Sequence, residues 1–231
     1  MQRMSNVILV LATILVIGFG AALGWDLSRA GTRSFWLLVT LPTIGMALVA
    51  IWRLHRDGEL GALMRPQWGD FTRGLFGTIV LFVGAYAFTR IVAPIGSPRE
   101  SWLARLYLQL GHPEDLRANV KVMIAGIVIA ATAEEIVWRG LVTTLLAEQF
   151  GSRRAWIYGA VAYALAHLPT MWALRDPVAG LNPVLVMAAL AAGLVWGAMA
   201  RVFGRLPPAI LSHALFDWTV VMLFRLWGPS I

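Results

Sequence analysis

The chain has 231 residues, of which 59% are hydrophobic and 13% charged, with a mean hydropathy of +0.72; an ordinary soluble domain carries about 25% charged residues, so water is not the main solvent here. The complete lack of cysteine excludes disulfides, thiolate metal sites and a cysteine nucleophile. The net charge of +7 is the balance of 19 basic residues, 18 Arg and the single Lys121, over 12 acidic ones; the basic residues are placed singly or in pairs at the ends of apolar runs, a pattern that anchors loops and offers no continuous basic face to nucleic acid.

Seven apolar stretches follow one another along the chain, at roughly 6–24, 35–53, 74–95, 119–147, 156–174, 183–203 and 208–227, each near the ~20 residues that cross a bilayer. Their apolar runs are continuous and do not alternate, so helices are expected and not a barrel. The predicted fold is all-α: a polytopic transmembrane helical bundle of about seven spans, with room for an eighth, forming a single transmembrane domain over 1–231. No loop is long enough for a separate soluble domain.

Arg3 ahead of the apolar run Val7 to Phe19 has the look of a signal sequence, but no small-x-small cleavage site follows and further spans do; a retained first span is expected. Gly18, Gly20 and Gly24, Gly74 and Gly77, and Gly193 and Gly197 would let helices approach closely. Between the third and fourth spans, Pro98 to Leu116 carries Trp102, Leu103, Leu106, Tyr107 and Leu110 at helical spacing, as an interfacial helix would. The basic loops around Arg53 to Arg73, at Arg153 and Arg154, and at Arg201 and Arg205 share the N-terminal side in a seven-span arrangement. They slightly outweigh the opposite side and favour an N-terminus facing the cytoplasm.

The fourth apolar run is interrupted by Glu134, Glu135 and Arg139. A charge in hydrocarbon costs several kcal/mol, on the order of 3, unless paired or hydrated, so an intramembrane ionisable cluster is a functional hypothesis by default. Glu135 and Arg139 are one turn apart and can pair, whereas Glu134 points about 100° away. His167 lies in the fifth span beside Pro169, and His213 in the seventh, one turn before Asp217. A lone buried histidine is usually a helix-to-helix hydrogen bonder; the six ionisable residues Glu134, Glu135, Arg139, His167, His213 and Asp217 together inside apolar runs are not explained that way. His55 and His112 sit in charged loops and are expected to be solvated. By a rise of about 1.5 Å per residue, Glu134, His167, His213 and Asp217 can share one level.

Glu134-Glu135 with Arg139, Tyr163 with His167, and His213 with Asp217 resemble, in order, the EExxxR, FxxxH and Hxxx(N/D) motifs of the CAAX-protease and bacteriocin-processing (CPBP, or Abi) family. The motif-bearing core covers about 119–227. Tyr163 replaces the usual Phe, and Asp217 stands where CAAX-processing members have Asn.

The resemblance implies a glutamate-type intramembrane endopeptidase in which Glu134 and His167 activate water while His213 and Asp217 stabilise the oxyanion. It also implies a membrane-associated protein or peptide as substrate and a bacterial inner-membrane location. No cofactor is expected. The close rival is a Zn site at Glu134, His167 and His213, although HExxH is absent. The alternative from another functional class is a non-catalytic membrane binder or transporter using the same cluster.

Overall fold

The computed structural model describes residues 2–224, which form helices and turns with no strand among them. The first pair is α1 (Gln2–Gly24) and α2 (Arg33–Arg56), joined through a 3-10 turn; the Thr32 hydroxyl caps α2 by accepting the Phe35 amide at 3.3 Å. A short α3 (Leu60–Leu63) leads to α4 (Asp70–Ile91). Two short helices, α5 (Glu100–Leu110) and α6 (Pro113–Ala118), lead to α7 (Val120–Glu135), which runs through a π-helical segment (Ile136–Val142) into α8 (Thr143–Phe150). Then come α9 (Ser152–Ala166), α10 (Leu168–Ala173), α11 (Val184–Phe203) and α12 (Pro207–Trp218), the last continued by a π segment (Thr219–Phe224).

Four of these, α1 from Met4, α2, α4 and α11, are regular helices of 20 to 24 residues, long and apolar enough to cross a membrane. The other three expected crossings are helical but interrupted: by the π segment after Glu135, by a break at His167, and by the π segment after Trp218. The end of the seventh expected span, 225–227, lies outside the described residues. All three interruptions fall beside the ionisable residues. Two of the three are π segments, which are frequent at functional sites in proteins generally.

Lipid as solvent explains the outer surface. Leu15 is 70% exposed, Phe19 67% and Phe76 69%, and patches of that kind on a water-soluble monomer would drive association. The centre of the molecule is the first π segment, whose residues 136 to 142 are all buried, packed with Ala50 and Leu54 of α2, Ala162 of α9, Trp196 of α11 and Leu206. Close approach at the crossings uses the glycines expected for it. A Cβ on Gly193 would come within 3.0 Å of Ala160, and one on Gly77 within 2.7 Å of both Ser212 Oγ and Met199 Sδ. Gly77→Ala is therefore expected to destabilise the protein by about 1–3 kcal/mol through overpacking. Thermal unfolding in detergent measures this, and an unchanged midpoint would mean that α4 and α12 can separate freely.

The amphipathic stripe on α5 has another destination than the one expected for it. Trp102, Leu106, Tyr107 and Leu110 are buried in a second core with Trp25, Phe35, Leu174, Val184 and Val221, so the protein itself covers the face that an interfacial helix would give to lipid. Arg105 from the opposite flank of α5 reaches the 174–183 loop, where its Nε donates to Asp176 Oδ2 at 3.1 Å. The backbone amides of Ala179 and Val178 hold the Asp176 carboxyl at about 2, below the ordinary 3.8. Because the folded value is depressed, the carboxylate's support of this loop is full above the ordinary value and lost as pH falls through about 2. Hydrogen exchange of residues 174–183 is expected to rise across that window in the wild type and to stay level in Asp176→Asn.

At the opposite ends of the helices, Arg205 donates to Asp70, tying the α11–α12 turn to the start of α4, and the Leu206 amide donates to Leu63 O at 2.8 Å. These contacts fix the height of α12. His55 and His112 are exposed, as expected.

Candidate active site

Glu134 and Glu135 end α7 side by side but face different surroundings. Glu135 is 0% exposed, whereas the Glu134 side chain keeps 24% of its surface open. Arg139, in the π segment, donates from Nη1 to Glu135 Oε1 at 2.9 Å. Its guanidinium lies between two aromatic faces, 4.9 Å from the Tyr163 ring centroid and 5.2 Å from that of Trp196. The charge is thus compensated by one carboxylate and two π-systems, a favourable arrangement for a desolvated cation. The i, i+4 pairing expected from spacing is present, and Glu134 is left outside it.

The α12 helix brings His213 to the same carboxylate. A carboxylate oxygen accepts, so His213 Nδ1 donates to Glu135 Oε1, at 2.9 Å. The ring is stacked on Trp196 with centroids 3.7 Å apart and planes at 17°, and Trp196 Nε1 in turn donates to Ser212 Oγ at 3.1 Å. So held, His213 turns Nε2 toward Asp217 Oδ2, at 3.4 Å, and Glu134 Oε2, at 4.0 Å.

From α9 comes Tyr163, whose hydroxyl donates to Glu134 Oε2 at 2.6 Å. His167, where α9 breaks, packs edge-on against the Tyr163 ring at 4.7 Å and places Nδ1 2.9 Å from the Tyr163 carbonyl. That carbonyl can accept but not donate, so Nδ1 carries a proton and the neutral ring keeps its lone pair on Nε2. His167 and Glu134 are joined through Tyr163 and not by a hydrogen bond of their own.

Five of the six expected residues, Glu134, Glu135, Arg139, His213 and Asp217, thus share one contiguous polar cluster, and His167 borders it. The sequence marks Tyr163 only as a replacement of the usual Phe and does not single out Trp138, Trp196 or Ser212. The sole signal for Tyr163 was its place one turn before His167. Nothing local distinguishes Trp196 from the other ten tryptophans. In chemical terms the cluster presents a partly open carboxylate, an imidazole with a free acceptor nitrogen, and a second imidazole held by a buried ion pair.

For the rival Zn site, Glu134 Oε2 accepts from Tyr163, and the two histidines are bonded through Nδ1, to Glu135 and to a carbonyl, which leaves Nε2 as the nitrogen each would turn to a metal. Among the described residues, no three His, Asp or Glu side chains are grouped to hold a metal ion.

Residues 117–219 match the family described as type II CAAX prenyl endopeptidase Rce1-like, a stretch that contains every member of the cluster. No curated protein and no solved structure matches the chain.

Proposed function

We propose that this chain, whose residues 117–219 match the Rce1-like type II CAAX prenyl endopeptidase family, is a glutamate-type intramembrane endopeptidase that crosses the membrane about seven times. The observation that carries the proposal is the partly open Glu134 carboxylate, with His213 Nε2 4.0 Å from it and His167 joined to it through Tyr163, the three groups coming from three helices. A purely structural ion pair needs Glu135 and Arg139 but has no use for Glu134.

In the reaction, a water held by Glu134 and by the free Nε2 of His167 loses a proton to Glu134 as its oxygen attacks the scissile carbonyl. The tetrahedral oxyanion accepts a hydrogen bond from His213 Nε2–H, and Asp217, 3.4 Å away, keeps that proton in place. Collapse of the intermediate breaks the C–N bond, and the proton on Glu134 passes to the departing amine, giving a carboxylic acid and an amine with the base regenerated; the acid then gives up its proton, leaving a carboxylate and an ammonium group. Glu135 and Arg139 hold His213 in position and do not meet the substrate. No step passes through a metal, and cleavage is expected to survive chelators.

The substrate class is a membrane-associated protein or peptide, with the bilayer delivering its lipidated end, in a bacterial inner membrane with the N-terminus toward the cytoplasm. The test uses the purified full chain in proteoliposomes with a prenylated peptide that carries a C-terminal tripeptide. Mass spectrometry is expected to find the tripeptide released, with and without EDTA. Intact peptide after many hours would overturn the proposal, and loss of activity in EDTA with recovery on Zn would replace its mechanism.

A further inference from the structure

We infer that the Tyr163 hydroxyl is the positioning group for Glu134, holding the base carboxylate away from His213 so that base and oxyanion donor remain separate. The inference rests on the protease reading above. Three carboxylates, Glu134, Glu135 and Asp217, converge on one guanidinium and one imidazole. Glu135 Oε1 takes both charged donors, Arg139 Nη1 and His213 Nδ1, each at 2.9 Å. The remaining imidazole nitrogen, His213 Nε2, faces Asp217 at 3.4 Å and Glu134 Oε2 at 4.0 Å.

That same oxygen, Glu134 Oε2, is the one to which Tyr163 donates, at 2.6 Å. At 4.0 Å the Glu134–His213 separation is beyond hydrogen-bond reach, and a side-chain shift of about 1 Å would close it. The base would then be paired with the group meant to serve the oxyanion, and both would be occupied before substrate arrives. Tyr163 is well suited to prevent this, because its ring cannot wander: Trp138 packs on it at 5.3 Å, His167 meets it at 4.7 Å, and the Arg139 guanidinium covers its face at 4.9 Å. The ring is fixed by packing, and the hydroxyl transmits that fixity to the carboxylate. A phenylalanine would keep the packing and lose the tether.

The experiment compares Tyr163→Phe, Tyr163→p-aminophenylalanine, which restores an N–H donor at the same ring position, and Glu134→Gln in the proteoliposome assay, with thermal unfolding of each. Loss of a hydrogen bond to a charged group predicts that Tyr163→Phe lowers kcat by about 10- to 100-fold. KM should stay within about 2-fold, because the buried hydroxyl does not meet substrate. The p-aminophenylalanine chain is expected to recover most of that loss, a result that packing alone would not produce. The positioning role is overturned, and the protease reading kept, if Glu134→Gln is inactive while Tyr163→Phe turns over at the wild-type rate. It is likewise overturned if the loss falls on KM, or if the folded p-aminophenylalanine chain is no better than Phe. Wild-type cleavage by Glu134→Gln would defeat the assignment of Glu134 as the base and this inference with it, whereas a wild-type chain that leaves the peptide intact would defeat the protease reading itself.

Discussion

Glu134→Gln is expected to lower the rate of peptide cleavage by about 10²- to 10⁴-fold, the range a positioned general base contributes, while leaving the folded protein intact. The two parts of that expectation have separate causes. Glutamine has the shape of glutamate, and its carbonyl oxygen can accept the Tyr163 hydroxyl as Glu134 Oε2 does at 2.6 Å, so the contact between α7 and α9 survives. An amide cannot take a proton from water at neutral pH, so the chemical step loses its base. The Glu135–Arg139–His213 network does not include Glu134 through any short contact, the nearest being the 4.0 Å approach of His213, and it should be undisturbed. The measurement is single-turnover cleavage alongside the thermal midpoint. Unchanged cleavage with an unchanged midpoint would remove Glu134 from the chemical step and assign the base to another group.

The helical bundle was legible because a chain in lipid has so few ways to satisfy its backbone, and the Glu135–Arg139 pair because residues four apart on a helix meet. His213 with Asp217 followed from the same spacing. What spacing could not supply was the contact between helices. Tyr163 reaches Glu134 across 29 positions in sequence, and His213 reaches Glu135 across 78; those pairings depend on how α9 and α12 seat against α7. The π segment was hidden for a related reason. Ile136 to Val142 read as one more apolar stretch with a single arginine, and an inserted residue in the helical turn leaves no compositional trace. The α5 stripe shows the reverse problem: an amphipathic pattern states that one face is covered but not by what, and here the cover is Trp25, Phe35 and Val184.

Glu135→Ala should be more damaging to the fold than Glu134→Gln, and its rescue should separate stability from turnover. Glu135 is fully buried and accepts from both Arg139 and His213, so its removal leaves a guanidinium inside the bundle with aromatic faces but no anion. Breaking one side of a buried pair typically costs about 3–5 kcal/mol, a large part of the 5–15 kcal/mol that holds a typical domain folded. Arg139→Met in the same chain removes the stranded charge while filling most of its volume. The double variant is then expected to be more stable than Glu135→Ala, with a coupling energy above about 1 kcal/mol in the cycle, as contacting members of one network show. Turnover should not follow stability back. His213 Nδ1 has lost its acceptor in both chains, so the imidazole is free to turn on its Trp196 platform, and the oxyanion donor is no longer aimed. Additive losses in the cycle, or cleavage that recovers together with the thermal midpoint, would show that Glu135 acts only through Arg139 and that His213 is oriented by stacking on Trp196 and by Asp217 instead.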